Sequence, residues 1–380
     1  MSFSFKSYKI RSLDFVFYTL ALFPLFDYGL SAIIVGVFLF VNLITNGIKP
    51  NNTWYFVVFY VYLIIISLFY SDYYSIYSRL DNSIYLLIFP TLSSSFSLTK
   101  NQIKNFTYLF IGAVLIKSSI SSVVLLNDIT FLSGGELPIL GVDFHATFFS
   151  YEILIAMILS YYIIENTLYK NIILIFLSIV VILFQKKIAL ISLMFLLIVQ
   201  LKVIKKKYLP LILPFSVLFI FLNKEFFKKL YETASSYLNY TLVGTDKVRL
   251  RLFEAGWQNF IEAPYVGKGV VKHTAFFSEY NLIHLGKWSQ HMNTHNYFLF
   301  LACSGGILAL ILFFTPYILS FTRKIESSKM FIAFLAVTLI FNTTESTLDR
   351  YNGVIPFVVF CFILANTHKN ILLTNKNNGY

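Results

Sequence analysis

Thr294-His295-Asn296 stands where a long polar stretch gives way to an apolar run. Titratable groups at the edge of hydrocarbon are costly to keep there and tend to be functional. A neutral imidazole at such a helix mouth, facing water, can take a proton from a sugar hydroxyl, with Asn296 beside it as a binding group. The blander alternative is a helix cap or a packing residue. Lys186-Lys187 lies between two apolar runs. Lysines there either snorkel to mark the end of a span or face an anion. Asp246-Lys247-Val248-Arg249-Leu250-Arg251 is a charge run, whose commoner fate is a solvated helix face. Its arginine forks, however, suit bidentate phosphate contacts. Phe253, Trp257, Phe260 and Ile261 follow at the spacing of an amphipathic helix that could lie at a membrane interface. Asp143, His145 and Glu152 open one apolar run, and Glu345, Asp349 and Arg350 mark a turn between two others. Glu345 and Asp349 share one helical face if that turn is helical. These acids either bind a sugar, pair with the basic residues, or hold a helix bundle together as internal ion pairs.

Gathered on one face of a membrane, these groups are the set expected of an enzyme that acts on a lipid diphosphate. Cations stabilise the diphosphate as it leaves, and a base activates an acceptor hydroxyl. Lysine and arginine supply the positive charge, so neither a metal nor another cofactor is required. His273, His284 and His291 share a polar segment with His295. Their spacing matches no metal motif, and no cysteine stands near them.

The elements that must position these residues are membrane helices. The chain has 380 residues, of which 57% are hydrophobic and only 13% charged. A soluble domain carries roughly 25% charged residues. The net charge of +12 sits mostly in short connections between apolar runs, so topology accounts for it and nucleic acid is excluded as a partner. Membrane lipids and an anionic lipid substrate are the expected partners instead. Cys303 and Cys361 lie inside apolar runs as small packing residues. Lys6, Lys9 and Arg11 precede a first apolar run that no cleavage site follows, which predicts a retained first span.

The fold expected is an all-α polytopic membrane helix bundle of about twelve transmembrane helices. The runs are 13–28, 30–46, 54–70, 83–98, 105–126, 146–164, 171–185, 188–204, 207–222, 296–321, 330–343 and 352–367. With the N-terminus in the cytoplasm, alternate turns carry Lys49, Lys100 and Lys104, Lys170, the Lys202–Lys207 cluster, Arg323 and Lys324, and Lys369. That obeys the positive-inside rule and places both termini in the cytoplasm. Residues 1–222 then form an N-terminal bundle of about nine spans. Residues 223–295 form one large outer loop, with short helices at 226–240 and 248–263, the second ended by Pro264. Residues 296–380 supply about three further spans and a short tail. No internal repeat is visible.

The pattern resembles the O-antigen ligase and O-antigen polymerase superfamily of bacterial membrane glycosyltransferases, most strongly over residues 245–312. The family's loop arginine corresponds to Arg249 in Arg249-Leu250-Arg251-Leu252-Phe253, followed by Glu262-Ala263-Pro264-Tyr265-Val266-Gly267-Lys268-Gly269. Its His-Asn motif with a following small-residue pair reads His295-Asn296 and Gly306-Ile307-Leu308-Ala309-Leu310. Ala309 stands for the second glycine and still permits close helix packing. Lys187-Ile188-Ala189-Leu190 is similar to the family's basic turn, with Lys186 in place of serine. His145 falls at a polar motif of many relatives, and Glu345-Ser346 at the Glu-rich turn near the family's C-terminus.

The resemblance implies transfer of a glycan from undecaprenyl diphosphate on the periplasmic face of the inner membrane. By it, Arg249 and Lys187 bind the diphosphate and His295 activates the acceptor. Arg251, Lys186, Asn296, His145 and Glu345 are further substrate-binding candidates. A ligase passes the glycan to lipid A–core, and a polymerase passes it to another lipid-linked repeat unit. The His-Asn motif tilts the reading to ligase. A lipid-linked sugar flippase is the alternative from another class, and would favour charges near mid-bilayer and a repeat symmetry. A reporter fused within residues 223–295 is expected to read periplasmic, and a cytoplasmic signal would overturn this topology.

Overall fold

The computed structural model describes residues 5–26, 28–47, 54–70, 84–93, 95–96, 98–127, 135–137, 142–201, 245–270, 294–322, 328–345, 348 and 353–364. In chain order its helices are α1 (Phe5–Leu20), α2 (Tyr28–Asn46), α3 (Trp54–Leu68), α4 (Tyr85–Ser93), α5 (Lys100–Asn127), α6 (Ala146–Ile163), α7 (Thr167–Phe184), α8 (Lys187–Leu201), α9 (Thr245–Glu262), α10 (Tyr297–Thr322) and α11 (Ser328–Thr344). A further helix, α12 (Gly353–Leu364), closes the described chain. The run at 207–222 and the segment 226–240 lie outside the described residues.

Five of these helices contain stretches long and apolar enough to cross a bilayer: Gly29–Asn46, Lys100–Asn127, Ala146–Ile163, Thr167–Phe184 and Tyr297–Thr315. The chain is therefore a membrane protein built of helices. α6 is its axis. Every residue from Ala146 to Ser160 is buried, and α5, α7, α8 and α11 pack around it. Hydrocarbon gives no hydrophobic drive for helices to associate, so close packing and polar contacts must hold them. Phenylalanines do much of this. Phe17, Phe38, Phe89, Phe96, Phe106, Phe110, Phe360 and Phe362 form a chain of edge, tilted and stacked ring contacts that ties α1, α2, α4, α5 and α12 together. Deeper in, Tyr151 of α6 and Thr338 of α11 share a hydroxyl hydrogen bond of 2.8 Å.

The structure departs from the sequence reading in three places. The run at 83–98 yields a helix of only nine residues, with Pro90 inside it. Nine residues fall well short of the roughly 20 a span needs. Beyond it, the Ser95 hydroxyl donates to the Gly47 carbonyl at 2.5 Å. Next, the all-α expectation omitted a hairpin. Gly135–Leu137 pairs antiparallel with Val142–Phe144, and the second strand delivers the chain to His145 at the start of α6. Strands of three residues are too short to show alternation in a sequence.

The third departure organises the candidate site. The apolar run from residue 296 predicts a continuous span whose small residues allow close packing. α10 instead breaks at Gly306, where φ is 66° and ψ −163°. A side chain there would collide with the Tyr265 carbonyl. Residues 264–269 fill the break. The Pro264 carbonyl accepts from Ile307 N–H at 2.9 Å. Lys268 and Gly269 N–H groups donate to the Cys303 and Ser304 carbonyls at 2.9 and 2.8 Å. The Tyr62 hydroxyl of α3 donates to the Gly305 carbonyl at 2.8 Å. Backbone groups freed inside a membrane cost several kcal/mol unless paired, and here loop and helix satisfy each other. Gly267 crosses the broken helix so closely that a Cβ would stand 2.5 Å from the Ser304–Gly305 backbone, and its φ is +69°. Gly267→Ala is expected to lower stability by about 2–4 kcal/mol, read as a large fall in thermal unfolding temperature in detergent. Gly112→Ala, with open space around its Cβ, should leave that temperature unchanged or raise it.

Candidate active site

Glu345 collects the site. It follows the last turn of α11, with its N–H held by the Phe341 carbonyl at 3.0 Å. One carboxylate oxygen accepts from Arg249 Nη2 at 3.2 Å. The other faces His295 Nδ1 at 3.6 Å, the edge of hydrogen-bonding reach. The carboxyl lies well out of water, and burial alone would raise its pKa. Contact with His295 and the charges of Arg249, His295 and His145 outweigh this and hold it below its ordinary value.

Each partner is placed by its own element. Thr294, His295 and Asn296 form a tight turn into α10. The Thr294 hydroxyl donates to the Asn296 carbonyl at 2.6 Å and accepts from the Asn296 N–H at 3.2 Å. The Asn296 side-chain oxygen caps the helix by accepting from Leu299 N–H at 3.0 Å. The carboxamide expected to hold a sugar thus has its oxygen engaged in the cap. His295 itself has φ +49°. Left-handed backbone in a non-glycine residue costs of order 1 kcal/mol or more and recurs at functional sites. It turns this imidazole out of the helix line toward Glu345.

Arg249 comes from the first turns of α9. That helix is docked on α10 by Leu252, Ala255, Gly256 and Asn259, all buried, and the Cys303 thiol donates to the Gly256 carbonyl at 3.0 Å. Arg249 remains 44% exposed while bound to Glu345. Arg251, two residues on, points roughly 200° away around the helix. It pairs with Glu254 at 2.8 Å on the water side and is not brought to Glu345 by this geometry.

The two lysines occupy the turn between α7 and α8. Gln185 ends α7 in the left-handed region with φ +52°. Lys186 then caps α8 with its carbonyl, accepting from Leu190 N–H at 3.0 Å, and Lys187 opens that helix. Lys186 lies within electrostatic reach of both Glu345 and Arg249. Partial burial lowers its pKa most, Glu345 opposes this, and Arg249 lowers it further. Lys186 thus belongs electrostatically with Glu345 and Arg249, and Lys187, expected to bind the diphosphate, stands next to it at the first position of α8. His145 starts α6 beside the same carboxylate, its ring 4.7 Å from that of Phe148. Asp349 and Arg350 lie outside the described residues, as do His273, His284 and His291. Among the described residues, no three His, Cys, Asp or Glu side chains come together as a metal-binding group.

Glu152, one of the acids expected to bind sugar or form an internal ion pair, finds a partner that the sequence reading did not name. Lys117 of α5 lies 3.6 Å from Glu152 of α6, both 3% exposed or less. Its ammonium sits 4.5 Å from the Phe149 ring centroid. A lone lysine in an apolar run is the signal that pointed to it.

The residues that meet at Glu345 lie largely in the stretch that matches a known family. The O-antigen ligase family model matches residues 172–314, which takes in Lys186, Arg249 and His295. Over that stretch the chain is similar to the O-antigen ligase family. No curated protein matches it.

Linkage gives a test of the carboxylate's place. A carboxyl whose folded pKa is depressed stabilises the fold fully above its ordinary pKa and loses that contribution as pH falls through the folded value. Glu345→Gln is therefore expected to be less stable than wild type at neutral pH, by about 1–3 kcal/mol for a lost charged hydrogen bond. The gap should close as pH falls below the ordinary carboxylate range. A gap independent of pH would show that the charge of Glu345 does not hold Arg249 and His295.

Proposed function

We propose that the protein is an O-antigen ligase-type glycosyltransferase that moves a glycan from undecaprenyl diphosphate to a hydroxyl of lipid A–core on the periplasmic face of the inner membrane. The observation that carries this reading is the convergence of Arg249, from α9, and His295, from the turn into α10, on the two oxygens of Glu345. The acceptor hydroxyl oxygen attacks the anomeric carbon. The bond from that carbon to the diphosphate breaks, and undecaprenyl diphosphate leaves with the electron pair. His295 takes the hydroxyl proton. With Nδ1 turned to a carboxylate, the favoured tautomer carries its proton there and keeps the basic lone pair on Nε2. The exposed part of the Arg249 guanidinium and the ammonium groups of the Lys186-Lys187 turn meet the developing charge on the diphosphate, without needing a metal.

Loss of a general base costs typically 10²–10⁴-fold, and loss of a charge-stabilising group a similar amount. His295→Ala and Arg249→Ala are expected to abolish glycan transfer while inserting in the membrane normally, and full activity in both would end the catalytic proposal. Lipopolysaccharide gels of a deletion strain separate the acceptors. Bare core with accumulating lipid-linked polymer supports a ligase. Core carrying one repeat unit makes the protein a polymerase. The buried Lys117–Glu152 pair favours a second reading, a flippase, because transporters keep charges inside the bilayer. Lipid-linked glycan confined to the cytoplasmic leaflet in the deletion strain would establish that instead.

A further inference from the structure

α9 carries three distinct faces. With roughly 100° between successive residues, Leu252, Ala255, Gly256 and Asn259 fall in one sector and are buried against α10. Arg251, Glu254, Gln258 and Glu262 fall in a second, joined by the Arg251–Glu254 ion pair and by a contact from Lys268 to Glu262. Phe253, Trp257 and Ile261 form the third, an unbroken apolar row whose members are half exposed, Trp257 at 51%. A water-soluble helix needs no third face of this kind, since large apolar groups in a row on a surface mark an interaction site.

The row continues beyond the helix. Tyr265 and Val266 extend it on the loop, exposed at 74% and 40%. That loop is hydrogen-bonded into the break of α10, where Ile307, Leu308 and Ile311 are exposed on a candidate membrane span. The apolar surface therefore runs without interruption from α9 onto a helix whose exposed side must face hydrocarbon. We infer that α9 is an in-plane anchor helix, seated in the leaflet on the side of the candidate site. Its Phe253-Trp257-Ile261 row dips into the acyl chains, its Arg251-Glu254-Gln258 face stays in water, and its Leu252-Ala255-Gly256-Asn259 face grips the bundle. Helices of this build sit roughly 5–10 Å into the boundary between headgroups and chains, with tryptophan and tyrosine favoured at that level. Arg249, one turn before Phe253, is thereby fixed at the depth of lipid phosphates. This placement holds whether or not the protein transfers a glycan.

The test uses the full chain in nanodiscs of phosphatidylethanolamine and phosphatidylglycerol brominated at mid-chain. Trp54→Phe and Trp288→Phe leave Trp257 as the single tryptophan among the original three. Its fluorescence is expected to lose most of its intensity relative to unbrominated discs. A tryptophan moved one residue on, by Trp257→Phe with Gln258→Trp, should lose little. Equal quenching at both positions, or none at 257, would overturn the anchor. So would relief of quenching by added undecaprenyl diphosphate, which would give the row to the tail of a bound substrate rather than to the bilayer. Absence of quenching together with cross-linking between copies through Trp257→Cys would give it to a second chain.

Discussion

A helix broken inside a membrane must find partners for the peptide groups it releases, and that constraint fixes the candidate site. α10 is broken at Gly306, and the carbonyls of Cys303 and Ser304 and the N–H of Ile307 would otherwise face hydrocarbon. Residues 264–269 satisfy them. Because that segment follows directly on α9, the hydrogen bonds that heal the break also set the position of α9 against α10. Gly256 and Gly267 bring the backbones close enough for this to happen. Arg249 at one end of α9 and His295 at the mouth of α10 are then held at distances decided by backbone packing, which side-chain flexibility cannot loosen.

Glu345 completes the arrangement from a third direction. An arginine and a histidine drawn together would repel once both were charged, and a partly buried carboxylate between them removes that cost. Its depressed pKa is the counterpart of the same attraction. The carboxylate also engages Nδ1 of the imidazole, the nitrogen that the proposed mechanism does not use as base, and leaves part of the guanidinium in solvent. α11 carries Glu345 and packs on α6, α8 and α10, so the elements bearing His145, Lys186 and His295 share one helix as a common support.

Much of this was readable from residue types. Long apolar runs announced the spans, and the period of Phe253, Trp257 and Ile261 announced α9. Arg249 and His295 stood out because charged groups at a span edge need a reason. What the sequence could not display was distance. Arg249 and Glu345 are 96 residues apart in the chain, and Glu345 carried three competing readings until α11 placed it. The Lys186-Lys187 turn was visible, but its approach to Glu345 and Arg249 depends on α8 packing against α11, which carries the chain to Glu345. A glycine at 306 looks in sequence like a packing residue; its φ is dictated by a loop some forty residues earlier. At Asn296 a helix cap and a binding group look alike in a sequence, and only the structure shows the side-chain oxygen on Leu299 N–H.

The central claim is that Glu345 works through His295, and a double-mutant cycle on glycan transfer measures this directly. Initial rates would be taken in proteoliposomes supplied with undecaprenyl-diphosphate-linked glycan and lipid A–core, for wild type, Glu345→Gln, His295→Ala and the double variant. The account predicts that Glu345→Gln slows transfer in the wild-type background and adds little once His295 is gone. Equal losses in both backgrounds would contradict it.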